Sequence, residues 1–232
     1  HVAEHLVAGQ LVPLEGDRAH YLRTVLRLRD GAEVRVFNAS AGEWSGRLAT
    51  VGRHKVEIRV EQRLRLPLLE PGATLAFAPI RRNRLDWLIE KSVELGVARL
   101  VPVLTERGVV RPDNAQRLAA IAVEAAEQCE RLTVPAIDTP RPLDEWLEVR
   151  DGSAPLLFAE ERGGAVPLVA ALRRWPGAEL LVGPEGGFSE RELAALHATP
   201  AASAVSLGGL ILRAETAALY CLVTWQLARI QS

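Results

Sequence analysis

The sequence predicts an α/β protein: a parallel sheet with helices on both faces, preceded by a small β-barrel. Three observations carry that expectation. Up to about residue 70, apolar and polar residues alternate at a period of two, in short runs bounded by glycine and asparagine. From residue 74 onward, short apolar runs alternate with longer stretches of helical period, the pattern of βα units that close a buried parallel sheet. Two of the last runs end in glycine-rich turns, Gly183-Pro184-Glu185-Gly186-Gly187 and Leu207-Gly208-Gly209, and open α/β sheets bind ligands beyond the carboxyl ends of their strands.

In chain order, residues 17–28 read as a short helix with Asp17 as its cap and a basic cluster of His20, Arg23, Arg27 and Arg29. By itself such a cluster reads as a solvated basic face. Strands are expected at 33–37, 43–49 and 55–60, separated by turns at Asn38-Ala39-Ser40-Ala41-Gly42 and Gly52-Arg53-His54; short alternating strands with tight turns argue for the barrel. Residues 64–72, with Pro67 and Pro71, read as a linker, which sets domains at 1–70 and 71–232.

The second domain then runs strand 74–80, a helix capped by Asn83 and ended by Gly96, strand 99–104, helix 115–131, strand 156–159, helix 166–174, strand 178–182, helix 189–197, strand 203–207 and a last helix to about 229. In helix 115–131, Leu118, Ile121, Ala122, Ala125 and Cys129, continued by Leu132, form the buried stripe. Glu124, Gln128 and Arg131 form a polar row opposite. Ser189-Glu190-Arg191-Glu192 is a capping box.

The chemistry of the first glycine-rich turn follows from charge. Closely spaced glycines let backbone amides approach a ligand, as around phosphates. Glu185 would repel a phosphate, however, and neither GxxxxGK[ST] nor GxGxxG is present. A positively charged adenosine-type ligand such as S-adenosylmethionine fits better; a plain tight turn capping a helix is the other reading of this loop. The second loop, Leu207-Gly208-Gly209-Leu210-Ile211-Leu212-Arg213-Ala214-Glu215-Thr216-Ala217, places Arg213, Glu215 and Thr216 at the mouth of a helix that is otherwise almost wholly apolar. That polar opening points to a site.

Composition bounds the class. With 28 basic and 29 acidic residues, net charge identifies no partner, since a nucleic-acid enzyme needs only a basic face. Of the basic residues 26 are arginine; this suits bidentate phosphate contacts, and genome composition or thermophily explains it equally. Cys129 and Cys221 lack CxxC or Cys/His spacing, which predicts reduced thiols, a cytosolic compartment and no metal site. The longest apolar stretch, 217–223, is too short to span a bilayer, and the start has no signal-peptide pattern. A soluble cytoplasmic protein without a membrane partner is expected. Methionine is absent even at position 1, so a few native residues are expected ahead of His1.

The pairing of Gly183-Pro184-Glu185-Gly186-Gly187-Phe188-Ser189 with Leu207 to Ala217 resembles the signature of the bacterial 16S rRNA (uracil-N3)-methyltransferases, in the SPOUT class of S-adenosylmethionine-dependent enzymes. The likeness extends to Arg84-Leu85-Asp86-Trp87, Thr105-Glu106-Arg107, Glu127-Gln128-Cys129-Glu130-Arg131 and His20-Tyr21-Leu22-Arg23-Thr24-Val25-Leu26-Arg27. Leu210 departs from it, because the family usually has arginine there. The resemblance implies methyl transfer to N3 of a uridine in small-subunit ribosomal RNA, naked or in the assembled subunit. It also implies a carboxyl-terminal trefoil knot forming the cofactor cup, a PUA-like RNA-binding barrel and a homodimer. Ribose 2′-O-methylation by another SPOUT enzyme and non-catalytic RNA binding are the alternatives.

On that resemblance the cofactor lies among Phe158, Ala159 and Glu160; Leu181, Val182, Gly183, Pro184, Glu185 and Gly186; Ser206, Leu207, Gly208, Ile211 and Leu212; and Thr216 with Ala217. Arg213 would stabilise the developing charge on uracil, Glu215 would orient Arg213, and Glu185 would serve as base or ammonium partner. His20, Arg23, Arg27, Gln128 and Arg131 would contact RNA.

Overall fold

The structure, a computed structural model, describes the chain apart from residues 52–54, 69–70, 109, 111–113, 162–163 and 231–232. It divides into two units, His1–Glu70 with Glu130–Thr133, and Pro71–Cys129 with Val134–Ser232.

In the first unit, β1 (Leu11–Leu14), β2 (Glu33–Asn38), β3 (Gly42–Val51) and β4 (Val56–Arg65) form, among the described residues, a four-stranded antiparallel sheet in the order β1-β4-β3-β2. The period-two pattern is realised: Val56, Ile58 and Val60 point inward with Val12, Trp44 and Leu48. Between β2 and β3 the Asn38 side chain accepts the N–H groups of Ser40 and Ala41, and Gly42 has φ +80°, where a β-carbon would overlap the Arg65 carbonyl.

Several local expectations are corrected here. The helix of residues 17–28 is an α-helix only over Gly16–His20 (α1), followed by a π-helical turn over Tyr21–Val25. Its N-cap is Glu15, without a side-chain cap bond, rather than Asp17. The β-branched Thr24 and Val25 are poor helix continuers, and Arg27 at φ +54° ends the segment. β1 was not expected. β4 runs to Arg65, beyond the expected end, because Arg65 Nε donates to buried Glu43 at 2.6 Å and Arg63 lies over Trp44. The expected turn Gly52-Arg53-His54, and Leu69 and Glu70 of the linker, lie outside the described residues.

The second unit comprises β5 (Ala73–Phe77), α2 (Arg82–Glu94), β6 (Val97–Leu104), α3 (Ala115–Gln128), β7 (Ala136–Ile137), β8 (Arg141–Pro142), α4 (Leu143–Val149), β9 (Leu156–Ala159), β10 (Val166–Pro167), α5 (Leu168–Arg174), β11 (Glu179–Val182), α6 (Glu190–Ala198), β12 (Ala202–Ser206) and α7 (Ala214–Ile230). The strands pair in parallel in the order β10-β12-β9-β11-β5-β6-β7, with β8 beside the far end of β6. Strand alternation divides the core. Leu75, Phe77, Leu157, Leu180 and Val182 pack with α2, α3, α5 and α7 on one face. Ala76, Val101, Phe158 and Leu181 pack with Trp146 of α4 and Leu196 of α6 on the other. The expected parallel sheet covered on both faces is thus present.

α7 buries Ala217, Ala218, Cys221, Leu222 and Trp225, while Tyr220, Val223, Leu227 and Ile230 stay exposed on its other side. Differences from expectation are again local. The N-cap of α2 is Arg81, and Asn83 lies inside the helix. Helix 115–131 stops at Gln128 because Glu130 takes φ +57°. Arg131 therefore leaves the polar row: it is only 9% exposed, and Nη2 donates to Thr133 Oγ1 at 3.0 Å. Leu132 leaves the helical stripe with it. Residues 166–167 form a short strand, and α5 begins only after Pro167. β7, β8 and α4 had no sequence signal, since two-residue strands show no period.

Candidate cofactor cavity and its rim

The carboxyl ends of β9, β11 and β12 stand side by side, and the loops that leave them build the site. After β11, the Gly187 N–H donates to the Pro184 carbonyl at 2.8 Å, closing a turn with Gly187 at φ +67°. Gly183 is packed closely: a β-carbon there would meet the Phe188 ring at 3.0 Å. Ser189 then caps α6 in the expected capping box with Glu192.

Glu192 does more than cap. Its Oε2 accepts the Ser189 N–H and its Oε1 accepts the Glu106 N–H, both at 2.8 Å, so one buried carboxylate fastens the β11–α6 loop to the loop after β6. Arg107 Nη1 donates to the Gly186 carbonyl at 3.0 Å, and Arg191 Nε donates to Glu106 at 2.6 Å. The Ser189 hydroxyl, and after it the Arg191 guanidinium, hold the Glu106 carboxyl below its ordinary range. On the other side, Gly208 takes φ +115° and its N–H donates to Ser206 Oγ at 3.2 Å.

These loops enclose a cavity of about 580 Å³, within the range of small-molecule sites. Of the residues expected around a cofactor, Ala159, Glu160, Val182, Gly183, Pro184, Glu185, Gly186, Leu207, Gly208, Ile211, Leu212 and Ala217 line it. Phe158 and Leu181 are buried behind it, and Ser206 and Thr216 do not line it. Arg107 and Phe188 are wall residues that sequence reasoning left out of the site; Arg107 was legible only as part of the Thr105-Glu106-Arg107 match. Leu210 and Ile211 project from the rim with 81% and 77% exposure. Backbone and apolar walls joined by four carboxylates, Glu160, Glu161, Glu185 and Glu190, and by Arg107 suit a ligand that combines a flat heterocycle with a positively charged group. Among the described residues no group of three or more His, Cys, Asp and Glu is arranged to hold a metal ion.

Arg213 is exposed just ahead of α7 and does not line the cavity. Glu215, expected to orient Arg213, instead has its Oε1 3.5 Å from Arg84 Nε. Arg84 Nη1 is also 3.5 Å from Glu185 Oε1. Arg84 was therefore missed as a site residue; one of three arginines at the start of a helix, it gave no signal beyond its place in the family resemblance.

In the first unit, His20 and Arg27 are exposed and Arg23 is half-buried, beside exposed Tyr21, Val25 and Leu26. His20 Nδ1 and Thr24 Oγ1 are 3.3 Å apart. Gln128 is exposed at the end of α3, whereas Arg131 is buried.

Comparison with known proteins accords with this geometry. The RNA methyltransferase domain family matches residues 69–226 and the RNA methyltransferase PUA domain family matches residues 14–61. The chain is 31% identical over 223 residues to ribosomal RNA small subunit methyltransferase E of Rickettsia conorii, covering 94% of this chain and 91% of that protein. With the Bacillus subtilis protein of the same name the identity is 28%, covering 90% and 87%. The crystal structure of ribosomal RNA small subunit methyltransferase E from Neisseria gonorrhoeae bound to S-adenosyl methionine matches with a TM-score of 0.87 at 31% identity, covering 97% of this chain and 95% of that one. A putative methyltransferase from Legionella pneumophila in complex with the same cofactor matches at a TM-score of 0.80 and 28% identity, with the same coverage. With both units matched and relatives aligned nearly end to end, this chain belongs to the RNA methyltransferase family that contains ribosomal RNA small subunit methyltransferase E.

Proposed function

We propose that the protein transfers a methyl group from S-adenosylmethionine to N3 of a uridine in small-subunit ribosomal RNA. The observation that carries this reading is the cavity between the two glycine-rich loops, with the Glu185 carboxylate in its wall, in a chain of this family. The cofactor supplies a methyl group activated on a sulfonium.

The protein's own groups have three tasks. Backbone groups at Ala159, Val182, Gly183, Leu207 and Leu212 read the heterocycle edge, while Ala217 and Phe188 supply apolar wall. Glu185 faces positive charge in the cavity or takes the N3 proton. Arg213, exposed and outside the cavity lining, would stabilise negative charge on the uracil oxygens. In the transfer, N3 loses its proton to a base and its electron pair forms the new N–C bond. The carbon–sulfur pair returns to sulfur, which becomes neutral. N3 lies on the Watson–Crick edge, so the base must be unpaired or flipped. The basic segment with exposed His20 and Arg27 and half-buried Arg23 would grip RNA phosphates; Gln128 is the further candidate, and Arg131 would act only by positioning its neighbours, since it is buried.

The same reading includes the carboxyl-terminal trefoil knot that the family resemblance implies, with α7 packed against α2, α5, β5 and β11. It includes a homodimer, supported by the apolar stripe Tyr220, Val223, Leu227 and Ile230 left exposed on α7. A cytoplasmic location is supported by two free cysteines and by the absence, among the described residues, of a helix long and apolar enough to cross a membrane.

The test is transfer of labelled methyl to small-subunit RNA and to assembled small subunits, with the modified nucleoside identified by mass. N3-methyluridine is expected. Ribose methylation, or no transfer to either substrate, would refute the proposal.

A further inference from the structure

Arg84 is assigned no role by the cavity or by the reaction, yet it joins both signature loops. Its Nη1 lies 3.5 Å from Glu185 Oε1, in the turn after β11, and its Nε lies 3.5 Å from Glu215 Oε1, in the first turn of α7. The two carboxylates differ in environment. Glu185 belongs to the cavity wall and its side chain is 38% exposed. Glu215 is 8% exposed, and its Oε2 has no hydrogen-bond partner among the described residues.

A carboxylate buried with one oxygen unmatched is costly unless a cation holds it in place. Here that cation is Arg84, and the same guanidinium turns a second edge toward Glu185. The two ion pairs use separate nitrogens of one planar guanidinium, Nη1 and Nε, whereas a lysine would have to serve both carboxylates from a single Nζ. The three ionised groups sum to one negative charge beside the cavity. S-adenosylmethionine carries one net positive charge through its sulfonium, ammonium and carboxylate, and loss of its methyl group removes the sulfonium charge.

We infer that Arg84 is a positioning residue: anchored by Glu215, it holds Glu185 at the cavity wall and tilts the cup toward the charged cofactor relative to its neutral demethylated product. The inference rests on the cofactor reading above. It assigns Glu215 to Arg84 rather than to Arg213. A turn of glycines would otherwise leave Glu185 free to swing into solvent.

The experiment is calorimetric titration of the full chain with S-adenosylmethionine and, separately, with S-adenosylhomocysteine, for the parent, Glu185→Gln, Arg84→Lys and Glu215→Gln, alongside thermal unfolding of each. In Glu185→Gln the affinity for the charged ligand should fall about tenfold relative to that for the neutral one, because one close charge pair is lost. Arg84→Lys should move the same ratio in the same direction, since a single Nζ replaces the separate nitrogens that face Glu185 and Glu215. Glu215→Gln should shift it less, together with a change in melting temperature. Equal weakening of both ligands in Glu185→Gln and Arg84→Lys would make Arg84 a structural tie and overturn the inference, as would an unchanged ratio. Glu185 sits in a solvent-facing turn, so its variant keeps the test decisive even where Arg84→Lys impairs folding. A parent that binds neither ligand would sink the cofactor reading itself, an outcome distinct from binding with an unaltered preference.

Discussion

Glu192 offers a sharp test of how the cavity is held. Both its oxygens accept backbone N–H groups at 2.8 Å, one from Ser189 and one from Glu106, and the residue is only 6% exposed. Glu192→Ala leaves two donors without partners, each costing about 1–3 kcal/mol when buried. With water reaching one of them, a net loss of about 2–4 kcal/mol is expected, or about 5–15 °C in melting temperature for a domain of this size. Glu192→Gln keeps one acceptor oxygen and turns an amide donor toward the other N–H, so it should fall between the parent and Glu192→Ala. Scanning calorimetry measures both, and titration with S-adenosylmethionine should show weaker binding in the same order, because the tie joins two walls of the cavity. A Glu192→Ala variant melting with the parent would refute the reasoning, and equal effects of the two variants would refute the assignment of one loop to each oxygen.

Further outcomes follow from other sites. Burial pushes the Cys221 thiol up to about 12, so it should stay unreactive toward a thiol reagent at pH 8 in the folded protein and react once denatured; rapid native labelling would contradict its packing. Glu106, whose carboxyl is held low by Ser189 and Arg191, contributes stability that is fully present above its ordinary value of 4.5 and is lost as pH falls through the lowered folded value. In Glu106→Gln the melting temperature should therefore decline less steeply on acidification below that value than in the parent, and identical acid limbs would show that the pair is inert. Reversing Arg23 and Arg27 to glutamate should weaken RNA binding and flatten its dependence on salt, with cofactor affinity unchanged; an unaltered salt slope would leave the cluster as solvated surface.

Legibility in the sequence tracked the physics of each element. The parallel sheet was readable because strands buried on both faces are near-continuous apolar runs, and the start of α6 was readable because Ser189 and Glu192 form a capping box. The helix near the amino terminus was overextended, since composition could not show that Tyr21–Val25 widens to a π-turn. The fate of Arg131 was hidden for a similar reason: periodicity places it on a helix, and only the left-handed backbone at Glu130 removes it. Within the site, glycine loops announced the cavity, whereas Arg84 and Arg107 depend on contacts far apart in the chain, 79 residues apart for Arg107 and the Gly186 carbonyl, which no local pattern encodes.

The assignment of Glu130–Thr133 to the first unit bears on how the two units can be inherited. The chain passes between units three times, after residues 70, 129 and 133, and Arg65 Nη2 donates to the Glu130 carbonyl at 3.0 Å within that first unit. A gene fragment encoding only the first seventy residues would carry β1 to β4 without this segment and its buried Leu132. Recombination at the apparent linker alone would split a unit that the chain completes sixty residues later. Exchange of this unit between relatives would need three coordinated crossovers, one at each passage of the chain between units.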